Sequence, residues 1–411
     1  MSNEDKINLL HIQIENFRSF CERETVSFSD DGKNMRKITS IIGLNATGKS
    51  NIALAMQSFK YIVKDSANAG FILPYQPFLH KTGMNTKPSI FSIEFRHGER
   101  IYTYEVRFNA TNVLLEKLRE RTIDTYRKRT IFERRTNGDI STGAANYGFG
   151  KGVLSRTRSD SLLITKAFED NNKYAKIVFS ALNSFYVLRC NDGELEQKAT
   201  KLLQDNPSLK KLTLNALRKA DFSIDDLRVD EIRLSDGAIS KMNLPDFIKD
   251  DLRFKPVTIL NAGHVVKKED GEDVTDENGN KYVISNGFNN ESMGTRAFIG
   301  IIVPILDAIN KGKVLYIDEF GTYLHHNLVN MVIRSYLHNP SAPGLIVNTH
   351  NGMALDSVQR NSIIFTERNH VFGNTIVMTA KEKHIRGDDS FSRGYYSGRY
   401  ISINNEDELL F

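Results

Sequence analysis

Gly43-Leu-Asn-Ala-Thr-Gly-Lys-Ser50 fits the pattern G-x-x-x-x-G-K-[ST], and its reading decides the fold. A loop of this kind presents backbone N–H groups to phosphate oxygens, and the partial positive charge of the following helix N-terminus adds to the attraction. Upstream, residues 38–42 read as a short buried strand. Downstream, Ile52, Met56, Phe59 and Ile62/Val63 recur at helical spacing. A strand entering the loop and an amphipathic helix leaving it are the context that the motif needs. Gly43, Asn45, Ala46, Thr47, Gly48, Lys49, Ser50 and Asn51 are therefore candidate contacts for ATP. Lys49 would reach the β- and γ-phosphates, and Ser50 would offer its hydroxyl to Mg²⁺.

Val314-Leu-Tyr-Ile-Asp-Glu319 is an apolar run ending in two carboxylates. A parallel strand of this composition delivers both acids to the carboxyl edge of its sheet, where ligands bind. Asp318 is the expected Mg²⁺ partner, and Glu319 the group that polarises the attacking water. Leu345-Ile-Val-Asn-Thr-His350 is a second buried strand, ending near a histidine placed to sense a γ-phosphate. Asn290-Glu-Ser-Met-Gly-Thr295 opens a helix. Ser292 and Gly294 there, with free backbone amides, make a second anion site, although a serine before a helix is usually only an N-cap. Gln76 is the nearest candidate for a further Mg²⁺ contact. His325 and His326 have no carboxylate or cysteine partners to complete a metal set.

The 411 residues suffice for two or three structural units. With 40% hydrophobic and 26% charged residues, the composition is that of an ordinary globular protein. Apolar runs are too short to span a bilayer, and residues 1–6 carry no export signal, so a cytoplasmic protein is expected. Cys21 and Cys190, far apart, read as reduced thiols. Residues 89–95 and 101–108 alternate about His97-Gly98-Glu99 and read as an antiparallel hairpin. From about 155 to 222 the leucine spacing is helical, without sustained heptads. The organisation expected is an N-terminal half of a head (1–154), an inserted helical lobe (155–222) and a C-terminal half (223–411).

In order and spacing these elements resemble the ATPase heads of the ABC/SMC and RecF group, and Ile12-Gln-Ile-Glu-Asn-Phe-Arg-Ser-Phe20 looks like their opening. The closer resemblance is to the AAA-15-type ATPases of bacterial abortive-infection and phage-defence operons, such as the A components of Septu and PARIS and the RloA proteins. The likeness rests on Glu291-Ser-Met-Gly-Thr295 and Gly398-Arg399-Tyr400, and covers roughly residues 7–110 and 225–403. It implies an α/β ABC/SMC-type P-loop ATPase head with an antiparallel β subdomain and an inserted helical lobe. It also implies that two heads sandwich two ATP molecules. Residues 43–51, Asp318, Glu319 and His350 would come from one head, with Ser292 and Gly294 from its neighbour. The single glycine of the 291–295 element departs from the two found in transporter heads, which argues against transport.

Two functions compete at this level. In the first, a homodimer or larger assembly of heads uses ATP to control a separate toxic effector, a nuclease, because the chain shows no nuclease constellation of its own. In the second, a repair ATPase grips DNA directly. The second draws on Lys117, Arg119, Arg121, Arg127, Lys128, Arg129, Arg134 and Arg135, set against Glu120, Asp124 and Glu133. That local excess of five charges equals the net charge of the chain, +5. The alternative for this cluster is a strand face laced with cross-strand ion pairs.

Overall fold

The three apolar runs that read as buried strands lie side by side. Leu345–Asn348 sits in the middle, pairing in parallel with the loop-bearing strand Ile38–Ile42 on one side and the acidic strand Val314–Asp318 on the other. In this computed structural model, which describes residues 7–136, 138–189, 194–204, 206–385 and 390–400, these three belong to a six-stranded sheet. Ile363–Arg368 adds to the far side of Ile38–Ile42 in parallel, and Thr375–Thr379 completes that edge antiparallel. Phe185–Arg189 forms the opposite edge. The central strands are buried along their whole length, which is why they read as unbroken apolar runs rather than alternating ones. Because they run parallel, the loop after Ile42, Asp318 and Asn348 emerge at one edge.

A second six-stranded sheet is antiparallel, in the order Glu24–Ser27, Ile7–Glu15, Ser89–His97, Arg100–Phe108, Val113–Thr122, Arg129–Arg135. The expected hairpin is present, with His97 opposite Arg100. Helix Lys49–Asp65 buries Ile52, Met56, Phe59, Ile62 and Val63 in one core shared with both sheets. Phe59 stacks on Tyr104 at 5.8 Å and tilts against Phe91 at 5.7 Å. The helix that carries the phosphate loop is thus anchored through its apolar stripe, and its first turn is held with little freedom to tilt.

The first strand stops at Glu15. Asn16 takes a left-handed conformation (φ 47°), and its buried carboxamide donates to Met84 O and Lys87 O and accepts from Phe78 N. These bonds fix a tight turn, closed by mutual backbone bonds between Phe17 and Phe20, that brings Ser19 to the phosphate loop.

The chain divides into two compact units: residues 1–187, 312–320 and 333–411, and residues 188–311 with 321–332. The lobe expected at 155–222 is therefore split. Leu163, Ile164, Ala167, Val178 and Leu182 join the core around helix Lys49–Asp65 in the first unit. Helices Glu194–Gln204 and Pro207–Lys219 belong to the second, together with helix Met293–Lys311 and the antiparallel sheet Asp226–Ile232, Val257–Val265, Val283–Gly287. A helical repeat shows that a face is apolar, not which core it joins. Met293–Lys311 is long and apolar enough to cross a membrane, yet it is mostly buried within the protein, and it runs unbroken through Pro304. Cys21 is buried as a free thiol; Cys190 and residues 1–6 lie outside the described residues.

Candidate functional site

Residues 43–48 form a tight loop whose shape depends on two left-handed positions, Ala46 (φ 62°) and Gly48 (φ 97°). At Gly48 a side chain is excluded twice over, because a Cβ would also come within 2.0 Å of Thr375 Oγ1 and 2.6 Å of Ser19 Oγ. These two hydroxyls belong to a wall behind the loop. Thr375 Oγ1 lies 2.9 Å from Thr47 O and 2.7 Å from Ser19 Oγ, which also accepts from Asn51 Nδ2. Thr47 Oγ1 and Thr366 Oγ1 are 2.7 Å apart, and Thr366 Oγ1 donates to Ile42 O. The hairpin Ile363–Arg368/Thr375–Thr379 thus braces the loop from outside the motif.

In front of the loop, Asn45, Ala46, Gly48, Lys49, Ser50, Asn51, Glu319, Asn348 and His350 line a cleft of about 370 Å³. Lys49 is 6% exposed, and its Nζ donates to Gly43 O (2.9 Å) and Leu44 O (2.8 Å). Burial pulls its pKa down to about 8, against the opposing pull of Asp318 and Glu319. Ser50 Oγ donates to the buried Asp318 Oδ1 at 3.1 Å. His350 is held below its ordinary pKa by burial and then by the Lys49 charge, with Asp318 opposing, which favours the neutral ring.

Asn348, which the sequence reading passed over, ties the acidic pair together. Its Nδ2 donates to Asp318 Oδ1 and its Oδ1 accepts the backbone N–H of Glu319, while its own carbonyl accepts from Phe320 N. Glu319 sits at φ 60°, a costly conformation for a residue with a side chain. The Asn348 bonds hold it there. The available signal was a polar residue closing an apolar strand two positions before His350. Asn348→Ala should lower turnover about 10- to 100-fold while changing nucleotide affinity only slightly. Steady-state kinetics beside equilibrium binding of a fluorescent nucleotide would check this. Equal losses in both would place Asn348 in binding instead.

Gln76 does not line the cleft. It is exposed, and its Oε1 accepts from Arg18 at 2.8 Å. For Mg²⁺, the hydroxyl of Ser50 and the carboxylate of Asp318 are hard oxygen donors placed side by side. One carboxylate and one hydroxyl, with phosphate oxygens to complete the shell, is the set this ion takes in nucleotide sites.

In the second unit, Ser292 caps helix Met293–Lys311, its exposed hydroxyl accepting from Thr295 N at 3.1 Å. A Cβ on Gly294 would make only ordinary contacts, 3.5 Å from Tyr323 O and 3.9 Å from Ser292 Oγ. Among the described residues of the unit, none requires a glycine there. Gly300 differs, since a Cβ would meet Leu195 at 2.8 Å.

The basic cluster proves to lie on both sides of the antiparallel sheet, joined by ion pairs. Lys117 and Arg135 meet Glu133, Arg121 and Lys128 meet Glu94, Arg129 meets Glu120, and Arg134 meets the fully buried Glu116. Arg119 and Arg127 share these strands and their connection. Glu94 and Glu116, acids outside the 117–135 window, offset two of the five excess charges.

Phosphate loop, capped helix, acidic strand and central asparagine strand together define a P-loop ATPase head. A family model described as "AAA domain, putative AbiEii toxin, Type IV TA system" matches residues 38–357. The chain belongs to this family of AAA domains. No curated protein matches it. Similar solved structures include the SMC head domain from Thermotoga maritima (12% identity, TM-score 0.43, covering 90% of this chain and 98% of that one). Others are an Smc head bound to the C-winged helix domain of ScpA (12%, 0.45, 90% and 97%) and an Smc head with an extended coiled coil bound to the C-terminal domain of ScpA, from Pyrococcus furiosus (11%, 0.41, 91% and 96%).

Proposed function

We propose that this chain hydrolyses ATP between paired heads and serves as the regulatory subunit of an anti-phage defence system. In this reading it controls a separate effector, a nuclease, through nucleotide-dependent assembly. The observation that carries the ATPase reading is the placement of Ser50, Asp318, Asn348 and Glu319 on one sheet edge beside Lys49. Lys49 binds and orients the triphosphate. Ser50 and Asp318 would hold Mg²⁺, which would supply positive charge to the phosphate oxygens. Glu319 takes a proton from the attacking water, and His350 hydrogen-bonds the γ-phosphate. The toxin of a Type IV TA system in the family's description supports a defence setting. Hydrolysis controls an effector only insofar as the effector's affinities for the two nucleotide states differ.

Ser292 and Gly294 act on the nucleotide of the neighbouring head. Support comes from the exposure of Ser292 and from a glycine that its own unit does not need. Ser292→Arg should therefore abolish turnover and leave the ATP affinity of a single head nearly unchanged. Mixing it with Glu319→Gln, itself inactive, should restore about a quarter of the wild-type rate. When the heads are mixed before ATP is added, random pairing makes half the dimers mixed, and each mixed dimer has one intact site of two. Absence of recovery in the mixture, with both variants folded, would refute shared sites. The effector arm is tested by co-purification of the full chain with the product of an adjacent reading frame, in ATP and in ADP. Equal retention in both would refute control by nucleotide state.

A further inference from the structure

In the second unit, His264 near the end of strand Val257–Val265 has oxygen atoms against both ring nitrogens. Nδ1 is 2.6 Å from Ser223 O, and Nε2 is 2.8 Å from Glu291 Oε1. A backbone carbonyl can only accept, and so can an ionised carboxylate. A neutral imidazole carries one N–H and could satisfy one contact while setting a lone pair against the other oxygen. Both contacts are hydrogen bonds only when the His264–Glu291 pair holds an additional proton, as imidazolium beside carboxylate. The charged groups that face His264 are Glu291, from the turn before helix Met293–Lys311, and Asp225, which also accepts from Val265 N. Both are acids. Partial burial draws the histidine pKa down, but the bonds to Glu291 and Ser223 and the charges of Glu291 and Asp225 hold it above 6.5.

Glu291 directly precedes Ser292, and only 12% of its side chain is exposed. It is therefore the point at which the capping turn is fastened to the sheet. Ser292 itself is fixed on its other side by Thr295. We propose that protonated His264 is a positioning residue for turn 290–295, holding Ser292 and Gly294 in the orientation that meets the γ-phosphate of a neighbouring head. This rests on the reading that the turn acts in trans. The sign follows from linkage: a group whose pKa is raised in the folded chain contributes fully below its unfolded value, 6.5, and its contribution is lost as pH rises through the folded value. Turnover should therefore fall as pH rises above 6.5, while ATP binding to a single head stays level below the pH near 8 at which Lys49 loses its charge.

The experiment uses the full chain and measures kcat and KM for ATP from pH 6 to 7.5, below the titration of Lys49, in wild type, His264→Gln, Glu291→Gln and Ser292→Arg. Alongside it, NMR titration of the histidine ring protons assigns His264 by the signal missing in His264→Gln. Three results are expected: a His264 pKa above 6.5, an alkaline fall in wild-type kcat, and a kcat in His264→Gln lowered about fivefold or more and flat over that range. Glu291→Gln should move the His264 pKa and the alkaline limb to lower pH together, which supplies the test should His264→Gln fail to fold. A His264 pKa at or below 6.5 would overturn the proposal. So would a wild-type pH profile in His264→Gln while Ser292→Arg is inactive, and the trans reading would then stand. Wild-type turnover in Ser292→Arg would instead remove that reading, and the inference with it.

Discussion

Glu319→Gln is expected to bind ATP as tightly as wild type and to turn it over about 10²- to 10⁴-fold more slowly, the range lost with a general base. Glutamine preserves the size of the side chain and leaves the backbone N–H of residue 319 on Asn348, so the strained turn keeps its shape. It removes only the proton acceptor. The bound triphosphate then persists, and the engaged pair of heads should accumulate. Light scattering with ATP would show a dimer in the variant where wild type returns to its resting state. Lys49→Ala supplies the contrast. Loss of the ammonium beside the loop carbonyls removes the charge that the triphosphate needs, so neither binding nor dimer should appear. Hydrolysis at the wild-type rate by Glu319→Gln would strip Glu319 of this role and leave His350 as the remaining candidate in the cleft.

Glu116→Leu is expected to be the most damaging substitution for stability. Glu116 is fully buried and accepts from Leu163 N (2.6 Å), Ile164 N (2.8 Å) and Tyr104 Oη (2.9 Å), with Arg134 Nη1 at 3.6 Å. One carboxylate thus closes the start of helix Leu163–Glu169 and neutralises a guanidinium that is itself 7% exposed. Arg134 remains tied to Ser161 O and Arg158 O whether or not its charge is balanced. Leucine would fill the volume and leave a buried cation together with two backbone donors that have no acceptor. The cost should be about 3–5 kcal/mol, which for a unit of this size lowers the melting temperature by on the order of 10 °C. The double variant Glu116→Leu/Arg134→Met should recover most of it, because removing both charges is far cheaper than removing one. Calorimetry on the three variants would decide. A melt for Glu116→Leu within about 1 °C of wild type would show that the pair carries little weight.

Much of the phosphate end of the site was legible in the chain because its chemistry is local. A glycine at a left-handed position, a lysine and a serine within eight residues leave little freedom in where their backbone amides point. The acidic strand was legible for a related reason: four buried apolar positions followed by two acids have one place in a parallel sheet. Asn348 was not, since its role depends on its strand lying between the other two, and strand order is not written in any window of sequence. Ser19, Thr366 and Thr375 escaped likewise. Each is an ordinary small hydroxyl residue until folding brings it against Gly48 or Thr47. The ion pairs of the basic cluster were legible only in part, because a window along the chain counts neighbours in sequence and omits Glu94, which meets Arg121 and Lys128 from another strand.

The wall behind the phosphate loop bears on where this protein can be cut. The family match stops at residue 357, after every recognisable motif of the phosphate cleft, yet Thr366 and Thr375 lie beyond it. A fragment ending there would keep the lysine, the acids and the histidine while losing the outer two strands of the sheet and the hydroxyls that fill the space around Gly48. Every letter of the nucleotide motifs would survive in such a fragment, and the cradle they describe would have no back.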